Sequence, residues 1–243
     1  MPKALFTRAR HDLATAYLSA YGKILADYAA ANGYTVVDLY GEDARPAKFD
    51  AEMKADPAPE VVCCFGHGNA VSQRGQDLDV LLQVAVNDDM MSGKTAYLCS
   101  CLTGVELGPS MVDKTCLAYF GYLGDLTFVY DPKFEDTPLD DPYAKAFFDC
   151  CLATGYAVIL NKTPKEIYDL TIERYDYWWD YWMGQNDPLA DDIMTWLNWN
   201  RMNFIAITPT GVEKKVTTPQ YSRLLVPLGV LGLFMLLTQV GKK

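Results

Sequence analysis

Two places in the sequence join an apolar run directly to residues suited to nucleophilic catalysis. They are Val61-Val62-Cys63-Cys64-Phe65-Gly66-His67-Gly68 and Tyr97-Leu98-Cys99-Ser100-Cys101-Leu102-Thr103-Gly104. A free thiol with a pKa of about 8.5 is only a few per cent thiolate at neutral pH, so a nucleophilic cysteine gains from a nearby imidazole. His67 is the candidate base for Cys101 and the candidate acid for a leaving amine. Glycine on both sides of His67 lets the backbone turn tightly, which brings the Gly68 N–H toward a substrate carbonyl. With the N–H of Cys101 it would form an oxyanion hole, a term that is often the largest in acyl transfer. Taken singly, a histidine after a strand and a cysteine at the end of one are ordinary structural residues. Their joint occurrence in the same strand context points to a nucleophile and its base. Cys63, Cys64, Cys99 and Cys101 with His67 supply enough zinc ligands by count. No Cys-x-x-Cys spacing is present, however, and adjacent strand residues point to opposite faces, so neither a metal nor another cofactor is expected. His11 has no nucleophile paired with it and reads as a surface residue.

The elements that must position these groups follow from periodicity. Residues 4–7 form a short apolar run, Asp12 is a plausible N-cap, and apolar residues at Leu13, Tyr17, Tyr21, Ile24 and Tyr28 mark an amphipathic helix stopped by Gly33. Residues 35–40 (TVVDLY) read as a strand, completing a β-α-β unit. Further strands are expected at 60–65, 95–99 and 116–122, with helices at 77–91 and 103–113. Strands alternating with helices imply a mostly parallel sheet covered on both faces. The carboxyl ends of such strands line the ligand crevice, so His67 and Cys101 emerge along one rim and face each other if their strands are neighbours. Beyond Asp131 comes an acidic, proline-bearing loop (136–142) and then helical patterns alone. Thr163-Pro164-Lys165-Glu166 is a strong helix start. The aromatic stripe of Tyr175, Trp178, Trp179 and Trp182 that follows reads as core rather than as a stacking platform.

Composition bounds the functions available. The formal net charge of −10 argues against a nucleic-acid binder, which needs basic residues to neutralise phosphates. Half of the residues are hydrophobic, so a packed core is expected. Seven cysteines, four of them in adjacent pairs, do not read as a disulfide framework, and a cytoplasmic location is the expectation. The stretch 224–240 holds 17 residues without a charge, flanked by Arg223 and by Lys242 and Lys243. As a helix it would span about 26 Å, slightly short of the hydrocarbon core of a bilayer. It is expected to be a C-terminal membrane anchor, with a buried terminal helix or an oligomerisation helix as the alternative. The organisation expected is therefore one domain over 1–207 (sheet core 4–130, helical extension 141–207), a polar linker at 208–223 and the apolar tail at 224–240.

An apolar strand ending in His-Gly, followed later by an apolar strand ending in Ser-Cys, resembles the paired signature of the caspase-like cysteine peptidases, the group that holds caspases, legumain, gingipain and clostripain. The run Cys101-Leu102-Thr103-Gly104 with Glu106 is most similar to the clostripain and gingipain branch. The resemblance covers about residues 4–130 and implies a caspase-like fold, an endopeptidase activity and a peptide or protein substrate. His67 and Cys101 would be the catalytic pair, with Gly68 at the oxyanion position. It also implies that the chain after the nucleophile's strand helps build the specificity pocket, which makes Gly121, Tyr122 and Asp125 candidate substrate-binding residues. Asp125 would suit an Arg or Lys side chain, whereas Arg8 or Arg10 would suit an acidic one. The glutamine-containing pentapeptide around the nucleophile of true caspases is missing. The other readings are a catalytically silent caspase-like binding module and a membrane-tethered scaffold.

Overall fold

The computed structural model describes residues 1–213 and the two-residue strand Met235–Leu236. In chain order the elements are β1 (Lys3–Arg8), α1 (Leu13–Ala31), β2 (Thr35–Tyr40), α2 (Pro46–Met53), β3 (Val61–Phe65), β4 (Gly68–Asn69), β5 (Ser72–Arg74), β6 (Val80–Gln83) and β7 (Thr95–Cys99). They continue with α3 (Leu107–Asp113), β8 (Ala118–Tyr122), β9 (Thr127–Phe128), α4 (Pro142–Ile159), α5 (Pro164–Met183), α6 (Ala190–Asn203), β10 (Phe204–Thr208), β11 (Gly211–Glu213) and β12 (Met235–Leu236). Seven strands make one sheet in the order β2-β1-β3-β7-β8-β10-β11. The five strands from β2 to β8 are parallel, and β10 and β11 add antiparallel edges.

Strand periodicity assigns each side chain to a face. Phe6, Cys63, Tyr97 and Phe120 enter the core shared with α1, α4, α5 and α6. Leu5, Val62, Cys64, Leu98 and Tyr119 enter the core shared with α2, β6 and α3. The sheet is thus buried on both faces, which is why its strands read as continuous apolar runs. The aromatic stripe belongs to this core, with Tyr175, Trp178 and Trp182 buried on α5.

The local chemistry explains the helix starts. The Asp12 side chain accepts the Thr15 N–H at 2.8 Å while the Thr15 hydroxyl accepts the Asp12 N–H, a reciprocal cap at the start of α1. Thr163 and Glu166 cap α5 in the same way. Gly33 ends the α1 turn at φ +87°, a conformation that side chains disfavour.

Three expectations about elements are corrected. Residues 77–91 do not form a helix: they hold β6 and two short 3₁₀ turns, and β6 closes a three-stranded antiparallel sheet with β4 and β5. The Asn87 side chain bonds the Gln83 N–H and the Leu81 carbonyl, and Asp88 accepts the Ala85 N–H. Such side-chain bonds compete with the helical ladder, and Val80, Val84 and Val86 favour extended backbone. The helix expected from 103 begins at Leu107, since the Leu102 and Gly104 N–H groups donate to the Gly124 and Tyr122 carbonyls and Leu102 takes a left-handed φ. The part beyond Asp131 is not purely helical, since β10 and β11 extend the sheet, and Gly211–Glu213 falls within the stretch expected to be a linker.

The expected anchor at 224–240 lies outside the described residues except for Met235 and Leu236, which form a strand rather than part of a helix and pair antiparallel with β9. Among the described residues no helix is long and apolar enough to cross a membrane.

Candidate active site

The sheet has a point where its winding reverses. From β1 the chain passes through α1, on one face, to the outer strand β2; from β7 it passes through α3, on the opposite face, to β8. The reversal falls between β1 and β3, and in open α/β sheets the crevice beyond the carboxyl ends of the strands at such a point is the usual ligand site. The residues that leave those ends are Ala9 to Asp12 after β1 and Gly66 to Gly68 after β3, with Ser100 and Cys101 after the next strand, β7.

The register sets the loops that carry His67 and Cys101 next to each other. β3 and β7 are parallel neighbours with Phe65 opposite Cys99, so His67 and Cys101 each stand two residues beyond a matched pair. Their backbones meet, since a Cβ placed on Gly68 would lie 2.7 Å from the Cys101 carbonyl oxygen and 2.8 Å from Thr103 Cγ2. Glycine is required there by close approach. Gln73 ties the two loops together: its amide nitrogen donates to the His67 carbonyl at 3.1 Å, and its oxygen accepts from the Ser100 hydroxyl at 2.6 Å. Leu102, directly after Cys101, takes φ +62°. A left-handed leucine stores on the order of 1–3 kcal/mol of strain, here spent in the sharp turn that follows the thiol.

His67 is held by a carboxylate on the neighbouring strand end. Its Nε2 lies 2.6 Å from Asp12 Oδ2, and its side chain is 7% exposed. Asp12 divides its two oxygens, with Oδ1 capping α1 and Oδ2 facing the imidazole. Burial opposes the charged form of Asp12. The bonds from His67 and Thr15 outweigh it and hold the carboxyl well below the usual carboxylate range. An ionised Asp12 accepts a proton donor, so the His67 nitrogen that faces it, Nε2, is the one that carries a proton. The sequence marked Asp12 as a helix cap; its second role was missed because it depends on β1 lying beside β3.

His11 corrects an expectation. It is not a surface residue: its side chain is 13% exposed, its ring centroid lies 5.5 Å from that of His67, and Nδ1 accepts the Asp77 N–H at 3.2 Å. The chain leaving β1 folds inward over the end of β3, which spacing alone does not reveal.

Cys101 is fully buried. Its sulfur accepts the Leu126 N–H at 3.3 Å. Burial pushes the thiol pKa up, the Leu126 N–H opposes that, and the nearby Asp125 charge adds to the rise. The other six cysteines are also free and buried.

The candidate pocket residues occupy different places. Gly121 and Tyr122 lie inside β8, where Tyr122 is buried and its hydroxyl meets that of Tyr175 at 3.0 Å. Asp125 sits on the loop beyond the strand. Its Oδ1 is buried without a hydrogen-bond partner among the described residues, and burial pushes its pKa up. Arg8 is occupied, bonding both oxygens of Asp38 at 2.7 Å and the Ser19 carbonyl at 3.0 Å. Arg10 donates to the Tyr40 hydroxyl at 2.6 Å.

No family model and no curated protein matches the chain. Among solved structures it is similar to a crystal structure of the Arg-specific cysteine proteinase gingipain R, at 11% identity and a TM-score of 0.44, over 71% of this chain and 42% of that one. The chain therefore spans less than half the length of that protein.

Proposed function

We propose that the chain is a cysteine peptidase in which Cys101 attacks a peptide carbonyl and His67 moves the protons. In this reading the thiol gives its proton to His67 Nδ1 as sulfur adds to the carbonyl carbon. The imidazolium then protonates the leaving amine as the C–N bond breaks, and water hydrolyses the thioester to regenerate the thiol. Asp12 orients the ring through Nε2 and stabilises the imidazolium. The Gly68 and Cys101 amides are the proposed oxyanion donors. The observation that supports the reading is that β3 and β7 are parallel neighbours with Phe65 opposite Cys99, so the loops carrying His67 and Cys101 start from one rim. The similarity of the His-Gly and Ser-Cys motifs to those of caspase-like peptidases supports it.

Asp125 supports a preference for Arg or Lys before the scissile bond, because a buried carboxylate oxygen without a partner is satisfied by a cation. The proposed location is cytoplasmic, with a membrane tether through 224–240 that would require Met235 and Leu236 to leave their pairing with β9. One observation favours the second reading, a catalytically silent binding module: a fully buried thiol with a raised pKa is not an activated nucleophile. Cleavage of a fluorogenic peptide library by wild type and Cys101→Ala separates the two. Cleavage by wild type alone supports the peptidase; no cleavage by either supports the silent module.

A further inference from the structure

The two histidines of the chain and Asp12 converge at the winding reversal between β1 and β3. We propose that His11, Asp12 and His67 form a binding site for a divalent transition-metal ion, Zn²⁺ being the ion that the donor set suits. One ligand atom from each residue lies within 4.8 Å of the others. Asp12 Oδ2 is central, 2.6 Å from His67 Nε2 and 3.7 Å from His11 Nε2. Tetrahedral zinc with bonds of about 2.0–2.1 Å requires its donors about 3.3 Å apart. The first distance must therefore open and the second close, each by less than about an ångström, and the two imidazole donors, now within 4.8 Å of each other, must reach the same separation by side-chain rotation.

An independent observation points to a missing partner. His11 Nε2, the atom aimed at this cluster, is buried with no hydrogen-bond partner among the described residues. A buried polar nitrogen without a partner is destabilising, and a metal ion supplies one. The donor chemistry fits as well. Two imidazoles and one carboxylate form a three-ligand set that leaves a fourth position open for water. The thiols are not required. Asp12 is pre-oriented, because the Thr15 N–H and hydroxyl hold Oδ1 and leave Oδ2 free to turn to an ion.

Binding has a defined local consequence. A neutral imidazole that ligates through Nε2 carries its proton on Nδ1, so His11 must release the Asp77 N–H that its Nδ1 now accepts. Asp77 sits at φ +52° in an exposed turn, where that bond is easily exchanged for water. The same rule applied to His67 gives a second consequence, which rests on the proposed peptidase reading. Zinc on Nε2 places the proton on Nδ1, so the Cys101 thiol loses its acceptor and the metal-bound form is silent.

The test is calorimetric titration of EDTA-treated full chain with ZnCl₂, for wild type, His11→Ala, His67→Ala and Cys101→Ala. The expected result is one ion per chain for wild type and Cys101→Ala, weakened at least about 100-fold in either histidine variant, beyond the 10- to 100-fold typical of lost supporting contacts. CoCl₂ titration of wild type requires no variant: nitrogen and oxygen ligation gives visible d–d bands without a sulfur-to-metal charge-transfer band. Absence of stoichiometric binding overturns the site, as does a charge-transfer band or binding lost in Cys101→Ala. Cleavage is read separately. A chain that binds zinc but never cleaves peptide keeps the site and loses the peptidase reading; a chain that cleaves equally well with zinc bound loses the silencing step.

Discussion

Asp12 carries two loads that a pair of substitutions separates. In Asp12→Ala the α1 cap disappears, an effect of about 0.5–2 kcal/mol, and the charge-assisted bond to His67 goes with it, about 1.5–3 kcal/mol for a bond to a charged group. Taken at the middle of both ranges, the loss is about 3.5 kcal/mol, which for a domain of this size lowers Tm by roughly 7–14 °C. In Asp12→Asn the remaining carbonyl oxygen still caps Thr15, so the fold should lose far less. The amide now presents N–H to His67 Nε2. That nitrogen must then accept, and the proton moves to Nδ1, the wrong tautomer for taking a thiol proton. The expected loss in turnover is about 10²- to 10⁴-fold, the scale of a misplaced acid–base group. The assay is thermal melting beside cleavage of a fluorogenic peptide by both variants. Turnover in Asp12→Asn equal to wild type would show that Asp12 does not set the tautomer. An unchanged Tm in Asp12→Ala would show that neither bond contributes.

Cys101→Ala should abolish cleavage while lowering stability by only about 1 kcal/mol, the scale of a small buried truncation; urea unfolding beside the cleavage assay checks both. Asp125→Asn should weaken cleavage after Arg and Lys without changing the melting curve, and a library that prefers Asp or Glu would contradict the assigned pocket. Asp88, fully buried and bonded to Lys114 and Ser110, has a carboxyl that burial would raise but that these bonds lower. Its folded pKa lies below the unfolded value of about 3.9, so its contribution is complete above that pH and is lost as pH falls through the folded value. Asp88→Asn should then cost about 1–3 kcal/mol at pH 7 and pH 5 and progressively less as pH falls below about 3.9, as urea midpoints will show. Full-length chain that stays with membranes after alkaline carbonate washing supports the tether at 224–240; recovery in the supernatant contradicts it.

Much of the sheet was legible in the sequence because it is buried on both faces. The runs VVCCF and TAYLC read as central strands because they are apolar throughout, TVVDLY reads as a strand from its branched residues although β2 is the edge of the sheet, and the Asp12 and Thr163 caps announce their helices. Residues 77–91 were not legible as strand, because the side-chain bonds of Asn87 and Asp88 act over a few residues and leave no periodic trace. The strand β10 was hidden because its five residues follow α6 directly, with no turn residue between them to mark where helix ends and strand begins. At the site, His67 and Cys101 stood out because each ends an apolar run. His11 did not, since its burial comes from the path of the chain over the end of β3. The Asp12–His67 pair, 55 residues apart, follows from strand order and not from spacing.

The central claim is that His67 activates Cys101. It is tested most directly by the rate of Cys101 alkylation by iodoacetamide, followed by mass spectrometry across pH 5–9 in wild type and His67→Ala. The expected result is selective modification of Cys101 that rises through the histidine range in wild type and is lost in His67→Ala. Modification of Cys101 no faster than of the other buried cysteines, or a rate unchanged in His67→Ala, would contradict it.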